Sequence, residues 1–173
     1  FIGGGKIFFD KRTDGRNLLS ELAAKGYQVK TDTASVAAVK SGKLAGFIAN
    51  EDPKAIYQGR DTAYLRNATL QAIQLMSGNP NGFFLMVEGS QIDWGGHENT
   101  IEYITSEMLD FNRTLGAVLD YAAKDGNTLV IVTADHETGG LSLNQGTSYR
   151  QKKVSAQFSS KAHTGIMVPV FAF

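Results

Sequence analysis

The chain has 173 residues, enough for one domain with a real core and marginal for two. Hydrophobic residues make up 42 %, ordinary for a globular protein, and 17 Lys plus Arg balance 17 Asp plus Glu. That balance, with no basic run, gives no electrostatic footing for nucleic acid or an anionic membrane as partner, and the lack of cysteine excludes disulfides and thiolate metal sites.

In chain order, Phe1-Ile2-Gly3-Gly4-Gly5 lacks the basic region and apolar run of a signal peptide, and its glycines read as a tight turn. Residues 17–24 (NLLSELAA) carry apolar side chains at helical spacing, and Gly26 suits a left-handed helix end. Residues 27–30 read as a short strand, 35–40 as two helical turns and 44–49 (LAGFIA) as a strand. Residues 62–76 predict a helix with Leu65, Ala68, Ile73 and Met76 on its buried side, stopped by Ser77-Gly78-Asn79-Pro80-Asn81-Gly82. The continuous apolar run 83–87 (FFLMV) suits a strand covered on both faces. Residues 99–123 form the longest helix candidate. Asn99 and Glu102 are spaced as a capping box, and Ile101, Ile104, Met108, Phe111, Leu115, Val118 and Leu119 share one face. Asp125-Gly126-Asn127 ends that helix, and residues 128–133 (TLVIVT) predict a second buried strand. From Gly140 to about Ala162 the chain is polar and irregular, and residues 166–173 close with a strand.

Strand and helix alternating at these lengths predict one α/β domain over residues 1–173, with a mainly parallel sheet flanked by helices. No stretch reaches the ~18 apolar residues of a membrane span. A chain that begins in a turn and ends inside an apolar strand reads as part of a larger domain.

Both apolar runs end in ligand-type residues: Glu88, Asp93 and His97 after the first, Asp135 and His136 after the second. Open α/β sheets bind ligands beyond the carboxyl ends of their strands, so the two ends are expected to converge on one site. Asp93 and His97 share a face if they lie on a helical turn; if they lie in a loop, Gly95 and Gly96 let the backbone curl. Asp135 and His136 would diverge on a regular strand but converge once it ends, and Gly139-Gly140 permits the turn. His163 stands just before the last strand, so all three histidines lie beside glycine-rich turns at strand ends. His with carboxylate suits zinc, and magnesium at all-oxygen positions. Singly, each residue has a plainer role: a capping glutamate, a hydrogen-bonded turn, a surface histidine. Trp94, between Asp93 and the glycine pair, either lines the pocket or simply packs. Ser35 and Ser90 lack a Gly-x-Ser-x-Gly setting, and Gly3-Gly4-Gly5 lacks the Lys-Ser/Thr of a phosphate-binding loop.

The blocks Val87-Glu88-Gly89, Ile92-Asp93, His97, Thr133-Ala134-Asp135-His136-Glu137-Thr138-Gly139-Gly140 and His163-Thr164-Gly165 resemble, in this order, the metal-binding blocks of alkaline phosphatases. Ile2-Gly3-Gly4-Gly5 and Arg12-Thr13-Asp14-Gly15-Arg16-Asn17-Leu18 resemble that family's middle segment. The resemblance covers essentially the whole chain and implies an alkaline-phosphatase-like fold, incomplete here. It implies that Asp93, His97 and His163 bind a first zinc, Asp135 and His136 a second, and Glu88 a magnesium. It further implies hydrolysis of small-molecule phosphomonoesters, with paired zinc ions on the attacking and leaving oxygens. A periplasmic or secreted protein is implied too, and a homodimer is left open. The family's Asp-Ser-Ala type nucleophile motif, its metal-bridging Asp, its phosphate-clamping arginine and its Thr/Ser magnesium ligand find no match in the 173 residues. The expectation is therefore a piece that holds most metal ligands, lacks the nucleophile and is inactive alone. Two readings compete with it: a phosphodiesterase or sulfatase of the same superfamily, and a zinc-binding module without chemistry.

Overall fold

The computed structural model describes residues 1–173, which form two compact units: Phe1–Lys54 with Asn67–Val87, and Ala55–Arg66 with Glu88–Phe173.

The first unit holds β1 (Ile2–Gly3), α1 (Ile7–Asp10), α2 (Leu18–Ala24), β2 (Tyr27–Lys30), α3 (Thr33–Ala37), β3 (Lys43–Phe47) and most of α4 (Tyr64–Met76). Its three strands make a parallel sheet in the order β1-β3-β2, with Ile2 opposite Gly46 and Val29 opposite Ala45. Ile2-Gly3 thus pairs as a strand instead of forming only a turn. Side-chain caps set the helix starts: the Asn17 amide oxygen accepts from the Ser20 N–H (3.1 Å), and the Asp32 carboxylate accepts from the Ser35 N–H (2.8 Å). The second cap begins α3 two residues ahead of the expected 35–40 segment. Val36, Val39 and Leu44 form the core with Ile2, Ile48 and Leu75, and Phe9 meets the fully buried Phe47 edge-on at 4.8 Å. Burying a ring such as Phe47 contributes ~1.5–3 kcal/mol. The Gln71 amide donates to the Val36 and Val39 carbonyls (2.6 and 3.0 Å), joining α4 to α3.

The run FFLMV is not the doubly covered strand that its composition predicts. No ladder forms at 83–87, and Phe84 is 88 % exposed. A strand exists only where a neighbour supplies the opposite row of hydrogen bonds, and residues 1–173 place none there.

The second unit opens with a 3-10 turn, Ile56–Gln58, and continues with α5 (Gln91–His97), α6 (Ile101–Asp125), β4 (Ile131–Thr133), β5 (Glu137–Thr138), β6 (Ser142–Leu143), β7 (Ala156–Gln157), β8 (His163–Thr164) and β9 (Val170–Ala172). The strands form three two-stranded antiparallel ladders, β4–β9, β5–β8 and β6–β7, so parallel pairing is confined to the first unit. The segment expected to be irregular after Gly140 contains the β6–β7 ladder. TLVIVT keeps only three residues of strand, and Ile131 is exposed instead of buried. The expected capping box is also absent. Thr100 precedes α6 without a side-chain cap, and Asn99 has φ 54 with its buried Oδ1 lacking a hydrogen-bond partner. Gly126 (φ 68) closes the helix as its sequence predicts. No helix is long and apolar enough to cross a membrane.

On one face α6 buries Glu107, Asp110 and Thr114. The Arg60 guanidinium donates to Glu107 (2.5 Å) and Asp110 (3.3 Å), and Glu107 also accepts the Ile56 N–H (2.9 Å). This network ties the 3-10 turn to α6. Burial pushes the Asp110 carboxyl above its ordinary 3.8 despite the pull of Arg60 and Arg113, with the Glu107 charge adding to the rise. A carboxyl raised above its unfolded value costs stability where it is charged, and the cost is relieved as pH falls toward that value. Asp110→Asn removes the buried charge. Measured by urea unfolding, its stability relative to the unsubstituted protein is expected to be highest near about pH 7 and to decline as the pH is lowered toward about 4.

Candidate metal centre

The helix α5 puts Asp93 and His97 four residues apart on one face, the helical arrangement of the two that the sequence allowed. The buried Tyr103 hydroxyl donates to the Gln91 side chain, fastening α5 to α6. Burial, aided by the Glu107 charge, pushes this phenol up to about 12, so it stays a donor. The glycine pair serves close approach instead of loop curvature. A Cβ on Gly95 would stand 2.8 Å from Ile104 Cγ1, and one on Gly96 2.8 Å from the Thr138 carbonyl oxygen. Trp94 lies exposed on the same helix.

Asp93, His97 and His163 meet, with ligand atoms within 4.8 Å of one another. His97 Nε2 is 3.3 Å from Asp93 Oδ2 and 3.2 Å from His163 Nε2, while His163 Nε2 is 3.5 Å from Asp93 Oδ1. His97 Nδ1 lies 2.6 Å from the Lys161 carbonyl oxygen. A carbonyl only accepts, so Nδ1 carries the proton and Nε2 presents a lone pair. Zinc bonds of ~2.0–2.1 Å in a tetrahedron set ligand–ligand edges of about 3.3 Å. The imidazole pair matches that edge, while each imidazole lies nearest a different Asp93 oxygen, so a turn of the Asp93 carboxylate would be needed to bring one oxygen to both; the imidazole-and-carboxylate donor set is of the type that takes zinc. The side chains are 32–50 % exposed, which leaves room for a further ligand.

A second pair adjoins the first. Thr138 Oγ1 donates to Asp93 Oδ1 at 2.5 Å, and His136 Nδ1 lies 3.1 Å from the same hydroxyl oxygen. The hydroxyl has one proton and gives it to Asp93, so His136 Nδ1 must donate. His136 Nε2 then presents its lone pair 3.2 Å from Asp135 Oδ2, again a tetrahedral edge. Asp135 itself projects outward, 86 % exposed. Gly139 and Gly140 turn the chain with φ 93 and 58, and the His136 ring stacks on that of His163 at 3.5 Å. Residues that follow the two apolar runs thus lie near one another, Asp93 and His97 on a helix and His136 beside them through Thr138 and His163.

Glu137 stands on the opposite side of β5. It accepts the Thr164 hydroxyl and the N–H groups of Gly140 (3.1 Å) and Leu141 (3.0 Å). Burial alone would raise this carboxyl; the three hydrogen bonds outweigh it and hold the group below its ordinary value. Glu88 is exposed and stands in no such cluster.

Sequence reasoning assigned no role to Thr138, Glu137 or the Lys161 carbonyl. A signal for Thr138 was present, since ligating imidazoles need a partner on their other nitrogen and a polar residue two positions after His136 is placed to supply it. The Lys161 contact uses backbone and leaves no mark on residue type.

The family model described as alkaline phosphatase matches residues 2–172. Alkaline phosphatase 3 of Bacillus subtilis is 42 % identical over 149 residues, covering 86 % of this chain and 32 % of that protein. The Escherichia coli K12 alkaline phosphatase is 30 % identical over 217 aligned positions, covering 99 % of this chain and 46 % of that protein. Among solved structures, alkaline phosphatase from the Antarctic bacterium TAB5 superposes with a TM-score of 0.88 at 39 % identity, over 100 % of this chain and 52 % of that one. A variant of that enzyme was solved with Mg bound in its M3 site and aligns with a TM-score of 0.86 at 39 % identity, over 100 % of this chain and 53 % of that one. The chain therefore spans about a third to a half of the length of these relatives.

Long-range 1H–15N correlation of the metal-free protein is expected to find His97 and His136 both protonated on Nδ1. Thr138→Val removes the acceptor for His136, whose spectrum is expected to move toward a tautomer mixture while His97 keeps its Nδ1 proton. An unchanged His136 spectrum in the variant would refute the part given to the hydroxyl.

Proposed function

This chain belongs to the alkaline phosphatase family, and we propose that its ligand cluster serves zinc-dependent hydrolysis of small-molecule phosphate monoesters. The observation that carries this reading is the convergence of Asp93, His97 and His163, whose ligand atoms lie within 4.8 Å of one another, with the two imidazole Nε2 atoms 3.2 Å apart. In it, Asp93, His97 and His163 hold one zinc, Asp135 and His136 contribute to a second, and Glu88 serves a magnesium. Magnesium in the M3 site of the TAB5 variant supports the third position. When bound, such ions supply positive charge to the attacking and leaving oxygens of an in-line displacement at phosphorus. The chain's own groups prepare for them. The Lys161 carbonyl and the Thr138 hydroxyl keep two imidazoles in the metal-binding tautomer, and the hydroxyl fixes Asp93. In this reading the attacking hydroxyl comes from outside these residues, and the engagement of the Ser35 hydroxyl by the Asp32 carboxylate at 2.6 Å supports it.

The intact protein is expected to hydrolyse p-nitrophenyl phosphate, to lose that activity to a chelator and to regain it with zinc. His163→Ala is expected to weaken zinc binding by more than the ~10–100-fold typical of supporting residues. The 173 residues alone are expected to give no turnover. Faster hydrolysis of a phosphodiester or an aryl sulfate would move the protein to a neighbouring chemistry, and zinc-dependent turnover by the 173 residues alone would put the nucleophile inside the chain. A folded protein that takes up no zinc at micromolar concentration would end the metal reading.

A further inference from the structure

His163 is carried by a poorly supported strand. Its ladder to β5 has only two residue pairs, Glu137 opposite Thr164 and Thr138 opposite His163. So short a pairing is weak without side-chain help. Its backbone surroundings add the Gly139 N–H to the Ala162 carbonyl (3.0 Å), and the Ser159 and Ser160 N–H groups to the Gly139 carbonyl (3.0 and 3.1 Å). Strand alternation then divides the work of β5. Thr138 faces Asp93 and His136, while Glu137 faces Thr164 and the amides of the Gly140 turn.

We infer that Glu137 is a positioning residue of the metal centre, whose carboxylate locks the strand bearing His163 to the turn bearing Asp135 and His136. The inference rests on the zinc reading above. Oε2 accepts both the Thr164 hydroxyl and the Gly140 N–H, and Oε1 accepts the Leu141 N–H. Thr164 adjoins His163, so fixing its side chain fixes the direction in which the imidazole leaves the strand. The Gly140 and Leu141 amides adjoin the turn that follows His136, so the same carboxylate fixes that turn. Only an acceptor with two oxygens meets all three donors. A glutamine would turn its own NH2 toward an N–H or a hydroxyl proton, and an alanine would leave all three donors without this partner. Glu137 is thus not a ligand. It acts on the 3.2 Å His97–His163 separation through Thr164.

The test uses the intact protein, with zinc affinity from chelator competition and the visible absorption of the cobalt-substituted site as two readouts. Glu137→Ala is expected to weaken zinc binding ~10–100-fold and to alter the cobalt bands, with Glu137→Gln between it and the unsubstituted protein. Thr164→Val keeps the carboxylate and its amide donors, so it tests the link even if Glu137→Ala fails to fold; a loss of at least about threefold is expected. Asp32→Ala removes the cap of α3 in the other unit and is expected to change neither readout. Unaltered zinc affinity and cobalt bands in the Glu137 and Thr164 variants would overturn the inference while leaving the zinc reading standing. Equal losses in Asp32→Ala would overturn it as a general stability effect. If the unsubstituted protein takes up neither metal, the zinc reading itself falls and the inference falls with it.

Discussion

The single proton of the Thr138 hydroxyl orders the candidate centre. It goes to Asp93, and that choice leaves only the oxygen lone pairs for His136, which must therefore protonate on Nδ1 and turn its other nitrogen outward. One hydroxyl so couples a carboxylate of one proposed ligand set to an imidazole of the other. The contact depends on how closely α5 lies on β5. With any side chain at position 96, a Cβ 2.8 Å from the Thr138 carbonyl would force the helix back and draw Asp93 away from the hydroxyl. The rest of the unit holds that approach. Tyr103 fastens α5 to α6, and Arg60 fastens α6 to the 3-10 turn through Glu107 and Asp110.

Such a framework gathers acceptors at separations where they repel unless a cation or a proton lies between them. Asp93, His97 and His163 supply at least three electron-rich atoms at one point, and none of their supporting partners neutralises that concentration: a hydroxyl and a carbonyl are both uncharged. The surrounding packing must therefore carry the arrangement, and an ion bound there would return the repulsion as stability. This accounts for a buried hydrogen bond and a buried ion network beside a site whose own side chains are partly open to solvent.

Local features of this fold were legible in the sequence. Asn17, Gly26 and Gly126 mark helix ends through contacts within a few residues, and α2, β2 and the end of α6 lie where those residues put them. The apolar runs misled because a strand is made by its neighbour: FFLMV has the composition of a covered strand and no ladder, and TLVIVT retains one short antiparallel partner. Asn99 shows the same limit on a smaller scale. Its residue type suits a cap, yet its backbone turns left-handed and Thr100 takes the capping position. Candidate ligands were visible because histidine and carboxylate declare their chemistry by type. Their supports were not, since a Lys161 backbone carbonyl could come from any residue.

The run Asp135-His136-Glu137-Thr138 connects the remaining pieces. Its first two residues sit where the chain leaves β4, and its last two alternate across β5. One face sends a hydroxyl toward Asp93, the other a carboxylate toward Thr164, so the run joins the helix that carries His97 to the strand that carries His163. A slip of one residue would exchange the faces. Glu137 would then confront Asp93, charge against like charge, and the Thr164 hydroxyl would lose the carboxylate it donates to. The two faces are therefore chemically unlike in a way that admits one register only. A ladder of two residue pairs, too short to fix its own alignment by backbone bonding, is aligned by what its side chains accept and donate.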